Sequence, residues 1–142
     1  MTIQLIQYWI HHKTAILNLL SQLTMAPLID DVRFNIIITG LNENHQIFVY
    51  IKDDKIVGLI TLLIEPKLIH GGACVARIED LIVDREYQAQ GIARALIDFC
   101  VEQTEKRNCY KIILTCKSEL VSFYEKFGFN ETGLSMAIYK KV

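Results

Sequence analysis

Apolar residues near the start of the chain recur at helical spacing: Trp9, Ile10, Ile16, Leu17, Leu19, Leu20 and Leu23 predict one amphipathic helix over 9–23, stopping before Pro27. A second helix is expected over 28–38, although Ile36-Ile37-Ile38 suits a strand equally well. The period then changes. Segments 46–52 and 56–65 are rich in Ile, Val, Leu, Phe and Tyr, and Asp53-Asp54-Lys55 between them has turn composition, so a β-hairpin is expected. After His70-Gly71-Gly72, 75–83 reads as a strand and 91–106 as a helix with Ile92, Leu96, Phe99 and Cys100 on one face. Residues 110–116 suit a further strand. Residues 118–127 suit a helix with Ser118 as N-cap and Gly128 left-handed at its end, and 134–139 a closing strand. This order predicts an α/β or α+β protein with a mixed sheet.

Composition narrows the picture. A chain of 142 residues, 51% of them hydrophobic, holds one substantial core, and no repeat or Pro/Gly-rich linker divides it, so one domain over 1–142 is expected. With 15 Lys+Arg against 16 Asp+Glu the net charge is −1, which offers no basic footprint for nucleic acid. Unbroken apolar runs such as Leu62-Leu63-Ile64 fall far short of the roughly 20 residues that span a bilayer. The first ten residues lack a signal-peptide pattern, so a cytoplasmic location is expected. Cys74, Cys100, Cys109 and Cys116 form no C-x-x-C pair and read as reduced thiols; the adjacent His11-His12, and His45 and His70, lack metal-ligand spacing, so no metal is expected.

The most informative stretch is 81–93, which sets Gln88-x-x-Gly91-x-Ala93 between a strand and a helix. Small residues there let backbone N–H groups approach an anion, and the helix N-terminus adds unpaired donors and partial positive charge, so a pyrophosphate is a natural ligand. A tight turn using glycine for its conformation alone explains the same residues. The stretch is neither a Walker loop, which needs Gly-Lys-Ser/Thr, nor a Rossmann fingerprint.

Gln-x-x-Gly-x-Ala after an apolar strand resembles the acetyl-CoA pyrophosphate motif of the Gcn5-related N-acetyltransferases. The resemblance extends through Arg77-Ile78-Glu79-Asp80-Leu81-Ile82-Val83, Tyr87-Gln88-Ala89-Gln90-Gly91, Asn108-Cys109-Tyr110-Lys111-Ile112-Ile113-Leu114 and Phe123-Tyr124-Glu125-Lys126-Phe127-Gly128-Phe129 to the eukaryotic-type glucosamine 6-phosphate N-acetyltransferases, collinear over about 55–133. It implies a mixed sheet whose two parallel strands splay to admit acetyl-CoA, the co-substrate, with no metal. The amine of the sugar phosphate attacks the thioester directly, and a backbone N–H at Leu81-Ile82-Val83, with Ile82 central, meets the charge on the thioester oxygen. Tyr124 matches the family tyrosine that serves the departing thiolate as acid or hydrogen-bond donor; a polar-tipped core residue beside Leu120, Val121 and Phe127 is the other reading. Gln88, Ala89, Gln90, Gly91, Ile92, Ala93, Arg94 and Lys126 fall at CoA-binding positions. Thr24, Lys67, His70, Glu79, Asp80, Tyr110, Lys111, Thr115 and Tyr139 fall on the sugar side; the resemblance implies a homodimer with the sugar site between subunits, and the apolar strand expected over 134–139 suits an intersubunit role.

Glu79 and Asp80, being adjacent, are expected on opposite strand faces and so form no glycosidase-like carboxylate pair. Three positions depart from the family pattern: Thr115 stands where an acidic residue is usual, Leu120 where Asn is common, and Tyr139, followed by Lys140 and Lys141, where an arginine helps hold the sugar phosphate. An acetyltransferase for another amino sugar or small amine, or a non-catalytic acyl-CoA-binding module, therefore stand beside glucosamine 6-phosphate N-acetyltransferase as readings. Retention of Tyr124 argues against the non-catalytic one.

Overall fold

The computed structural model describes residues 2–142. Along the chain run β1 (Ile3–Leu5), α1 (Lys13–Leu20), α2 (Asp31–Thr39), β2 (His45–Lys52), β3 (Lys55–Glu65), β4 (Cys74–Val83), α3 (Ile92–Lys106), β5 (Cys109–Ile113) and α4 (Val121–Glu125). The strands form one sheet in the order β1-β2-β3-β4-β5, antiparallel from β1 to β4 and parallel between β4 and β5, so the expected mixed sheet is present. The β2–β3 connection is a two-residue turn, Asp53-Asp54, with φ of 52° and 58°. Both residues sit in the left-handed region that a type I′ hairpin turn requires.

Strand β3 reads as an almost continuous apolar run because both of its faces are covered. On one face Val57, Ile60 and Leu62 pack with Leu96, Ile97 and Cys100 of α3. On the other, Ile56 and Leu59 pack with Ile16 and Leu19 of α1 and Phe34 and Ile38 of α2. At Gly58 α3 sits close on the strand: a Cβ there would lie 3.1 Å from Ile92 Cγ2 and 3.1 Å from Leu96 Cδ1. The missing side chain thus seats the N-terminal turn of α3 directly on the sheet.

Several expectations are corrected. The single helix over 9–23 is instead a 3₁₀ turn at Ile6–Trp9 followed by the shorter α1, and the preceding strand β1 has no periodic signal because it is only three residues long. The alternative for Ile36–Ile38 resolves as helix, since Asp30 Oδ1 accepts the Arg33 N–H at 2.7 Å and starts α2 three residues later than expected. β5 ends at Ile113 rather than Cys116. Ser118 is not an N-cap: it lies inside a 3₁₀ turn, Ser118–Leu120, with its hydroxyl toward Glu119 and Lys117 in the cap position. Gly128 does take the left-handed conformation, with φ of 95°.

The closing strand over 134–139 does not form. Residues 130–142 lie outside every strand and helix, and Leu134, Met136 and Ile138 are 98%, 94% and 89% exposed. Alternating apolar residues become a strand only when a neighbouring edge supplies hydrogen bonds and a covered face, and the described chain does not bring that segment to one.

Candidate active site

The site grows from the way β4 and β5 part. Their pairing runs through Cys74↔Cys109, Val75↔Lys111, Ala76↔Ile112 and Arg77↔Ile113 and then stops, although β4 continues to Val83. Beyond Arg77 the β5-facing edge of β4 has no strand partner among the described residues, a row of main-chain groups that an extended ligand can use. The residues at this opened end are Glu79, Asp80, Leu81, Ile82 and Val83.

A bulge shapes the same stretch. Leu59 faces Ile82 and Thr61 faces Glu79, so Asp80 and Leu81 together stand opposite Ile60. Asp80 takes φ of 52°, a left-handed conformation that Asp tolerates better than most residues. The bulge shifts the alternation: Ala76 and Ile78 face the α3 side, and after it Leu81 and Val83 do, while Ile82 packs on the α1–α2 side. The expectation that Glu79 and Asp80 occupy opposite faces relied on unbroken alternation, which the bulge interrupts at those two residues. Glu79 Oε1 lies 3.7 Å from Arg77 Nη1, an ion pair, while Asp80 is exposed.

After β4, Asp84 opens a 3₁₀ turn over Arg85–Tyr87, and the loop 88–91 leads into α3. The Gln88 side chain donates back to Val83 O at 3.3 Å, tying the loop to the strand. Ala89 has φ of 61°, strained for a residue with a Cβ, and Gly91, the N-cap of α3, has φ of 81°. No side chain caps the first turn of α3, and a Cβ on Gly91 would meet nothing within 4 Å, so open space lies in front of the helix N-terminus. That combination fits an anionic group such as a pyrophosphate. Ile92, expected among the CoA-binding residues, buries its side chain in the core and has only its N–H to offer; Ala93 is half-buried. Arg94 is exposed, its guanidinium 4.5 Å from the centroid of the Phe127 ring, and Lys126 is exposed at the end of α4. Lys52 Nζ donates to Gln90 Oε1 at 2.6 Å and brings a cation to the loop that a linear reading misses, because the two residues lie 38 positions apart.

Tyr124 on α4 is half-buried against the α3-side core, with ring centroids 5.0 Å from Phe123 and 6.0 Å from Phe129. Burial first, and then the nearby Cys116 thiol, push its phenol above the ordinary value, so it holds its proton throughout the neutral range. Of the sugar-side candidates, the structure groups His70, Tyr110 and Lys111: the His70 and Tyr110 rings are 4.0 Å apart, and Lys111 Nζ is 5.5 Å from the Tyr110 centroid. Lys67 pairs with Glu65 at 2.7 Å, which holds that carboxyl below its ordinary value. Thr24, in the turn after α1, and Thr115, after β5, are exposed. Tyr139, on the arm over 130–142, is exposed and outside the sheet.

The profile of the acetyltransferase (GNAT) family matches residues 14–129. The chain belongs to that family. Among its relatives, a probable glucosamine 6-phosphate N-acetyltransferase 2 of Oryza sativa is 33% identical over 135 residues, covering 90% of this chain and 81% of that protein. The glucosamine 6-phosphate N-acetyltransferase of Trypanosoma brucei brucei is 37% identical over 116 residues, covering 80% and 79%. The crystal structure of glucosamine-6-phosphate N-acetyltransferase from Arabidopsis thaliana superposes with a TM-score of 0.90 at 26% identity, covering 98% of this chain and 97% of that one. The parted strands, the bulged β4 and the uncapped N-terminus of α3 are thus elements of a GNAT fold, whose members use acetyl-CoA.

Proposed function

We propose that this protein transfers the acetyl group of acetyl-CoA to the amine of glucosamine 6-phosphate, both bound at once. The observation that carries the reading is the parting of β4 from β5 after Arg77, which opens 78–83 beside the uncapped start of α3. Backbone N–H groups of Gly91, Ile92 and Ala93 would hold the pyrophosphate, and Gln88, Ala89, Gln90, Arg94 and Lys126 would line it. The open edge at Leu81, Ile82 and Val83 would take the extended arm of the thioester, the Ile82 N–H facing its oxygen as charge develops there. Acetyl-CoA supplies the activated acyl group and a thiolate that leaves.

Tyr124 serves that thiolate. Its phenol, held above the ordinary value of 10.0, is a weaker acid than an ordinary thiol. It therefore stabilises the departing sulfur chiefly by donating a hydrogen bond. On the acceptor side, Glu79 and Asp80 would position the amine, while Lys67, His70, Tyr110 and Lys111 supply cationic and polar groups suited to a sugar phosphate. Thr24 and Thr115 add hydroxyls to the same side.

The relatives named for glucosamine 6-phosphate support the acceptor. Thr115 favours a second reading, another amino sugar or small amine, because a hydroxyl cannot attract an ammonium as a carboxylate would. We further propose that the reaction takes place in the cytoplasm, where thiols such as those of the four free cysteines stay reduced. A homodimer is part of the reading: among the described residues the outer edge of β5 has no strand beside it, and the apolar arm carrying Tyr139 is available to a second copy.

Thiol release from acetyl-CoA, measured against a panel of amines, tests the assignment. Glucosamine 6-phosphate is expected to give the highest kcat/KM. A better substrate elsewhere in the panel would favour the second reading, and acetyl-CoA binding without turnover of any amine would favour a non-catalytic module.

A further inference from the structure

Gln22 lies in the turn after α1, two positions before Thr24, and its side-chain amide reaches the end of β4, 62 positions along the chain. Its Nε2–H donates to Asp84 Oδ2 at 3.2 Å, and its Oε1 accepts the Arg85 N–H at 3.0 Å. Asp84 is a firm anchor: its N–H donates to Val57 O at 2.8 Å, and its Oδ1 accepts the Glu86 N–H at 2.9 Å. The far end of the connection between α1 and α2 is held separately, by Lys13 Nζ donating to Ile29 O at 2.9 Å. Between these two points Leu23, Thr24, Met25 and Leu28 are exposed; the Leu23 and Thr24 N–H groups donate to Leu20 O at 3.0 and 3.2 Å, which ties the turn to the end of α1, so it is the turn as a unit that the Gln22 amide fixes against β4.

We propose that Gln22 is a positioning residue whose amide clasps the end of β4 and holds the loop over 21–30, Thr24 included, in register with Ile82, two residues before Asp84. An amide suits the task because one group both accepts from a backbone N–H and donates to a carboxylate, and a hydrogen bond to a charged partner is among the stronger kinds. The inference deepens the acetyltransferase reading and rests on it for the placement of Thr24 on the acceptor side. Loss of the clasp would free the acceptor loop while leaving the CoA loop in place, since Asp84 and Gln88 keep their own bonds to Val57, Glu86 and Val83.

Three variants test it. Gln22→Ala removes both bonds. Gln22→Glu keeps an acceptor for the Arg85 N–H but sets a second carboxylate against that of Asp84. Gln22→Glu combined with Asp84→Asn reverses donor and acceptor: the new amide at 84 donates to the carboxylate at 22, and its carbonyl oxygen still accepts from Glu86. In Gln22→Ala the KM for the acceptor amine is expected to rise about tenfold, with kcat within about threefold and acetyl-CoA affinity within about twofold. Gln22→Glu should lose at least as much, and the double variant should return to within about threefold of the parent. Amide hydrogen exchange over 21–30 should follow the same order, and it needs no acceptor. Unchanged exchange over 21–30 in Gln22→Ala, faster exchange with an unmoved KM, or no rescue by the double variant overturns the clasp. If the parent protein turns over no amine, the proposed function fails instead, and exchange with its rescue decides the clasp alone.

Discussion

Tyr124 and Gly91 are single residues whose settings make opposite demands. Tyr124 must keep its ring packed and its phenol protonated, and burial among Phe123 and Phe129 provides both. Tyr124→Phe leaves that packing intact, so acetyl-CoA affinity should stay within about twofold while kcat falls tenfold or more, a barrier change of about 1.4 kcal/mol. Steady-state kinetics beside calorimetric titration separates the two, and an unchanged kcat would pass the donor role to another group. Gly91 must hold φ of 81° and leave open space before α3. Gly91→Val sets a β-branched side chain in the left-handed region, costing about 1–3 kcal/mol of stability, and fills that space. The Kd for acetyl-CoA should rise more than about tenfold in protein that still folds. Undiminished affinity there would refute the loop assignment.

At the scale of elements, the seat of α3 on β3 decides where the helix N-terminus points. Gly58→Ala would place a methyl group 3.1 Å from Ile92 and Leu96, with Tyr50 Cβ at 3.3 Å on another side. The helix must lift or the strand shift, and stability should fall by about 1–3 kcal/mol. Because Ile92 is in the first turn of α3, acetyl-CoA affinity should fall with it. Denaturant midpoints and CoA titration on the same variant check the pair, and a stability loss with untouched affinity would mean that the seat of the helix does not set the anion site. The β4 bulge acts at this scale too: by inserting one residue it turns Leu81 and Val83 toward α3 and leaves Ile82 on the other side.

For the whole molecule, two expectations concern assembly and pH. The arm beyond Gly133 exposes Leu134, Met136 and Ile138 together, and a second copy is the partner proposed for it. Removing 134–142 should convert a dimer into a monomer by sedimentation; a dimer that survives the truncation would place the interface elsewhere. Cys100, fully buried on the sheet-facing side of α3, has its thiol pushed by burial from the ordinary 9.0 to about 12. Below pH 9 the folded and unfolded chains both hold this proton. Between pH 9 and 12 only the folded chain does, so stability falls as pH rises through that window, and the raised phenol of Tyr124 acts in the same direction above pH 10. Urea midpoints at pH 8 and 10.5 should show a steeper loss for the parent than for Cys100→Ala; equal slopes would remove Cys100 as the cause.

Much of this protein was legible in the sequence because its main elements carry local signals. The apolar run of β3, the Asp53-Asp54 turn and the one-sided stripe of α3 each reflect burial that repeats with a fixed period, and the Gln88–Ala93 pattern marks a strand-to-helix turn by its small residues. Tertiary structure alone decided the rest. The end of the β4–β5 ladder, the bulge at Asp80 and the Gln22–Asp84 clasp depend on registers and contacts between residues far apart in the chain, for which no local period exists. The arm shows the same division: alternation along 134–139 encodes a capacity for strand pairing, whereas the pairing itself needs an edge, and only the three-dimensional arrangement determines whether the described chain supplies one.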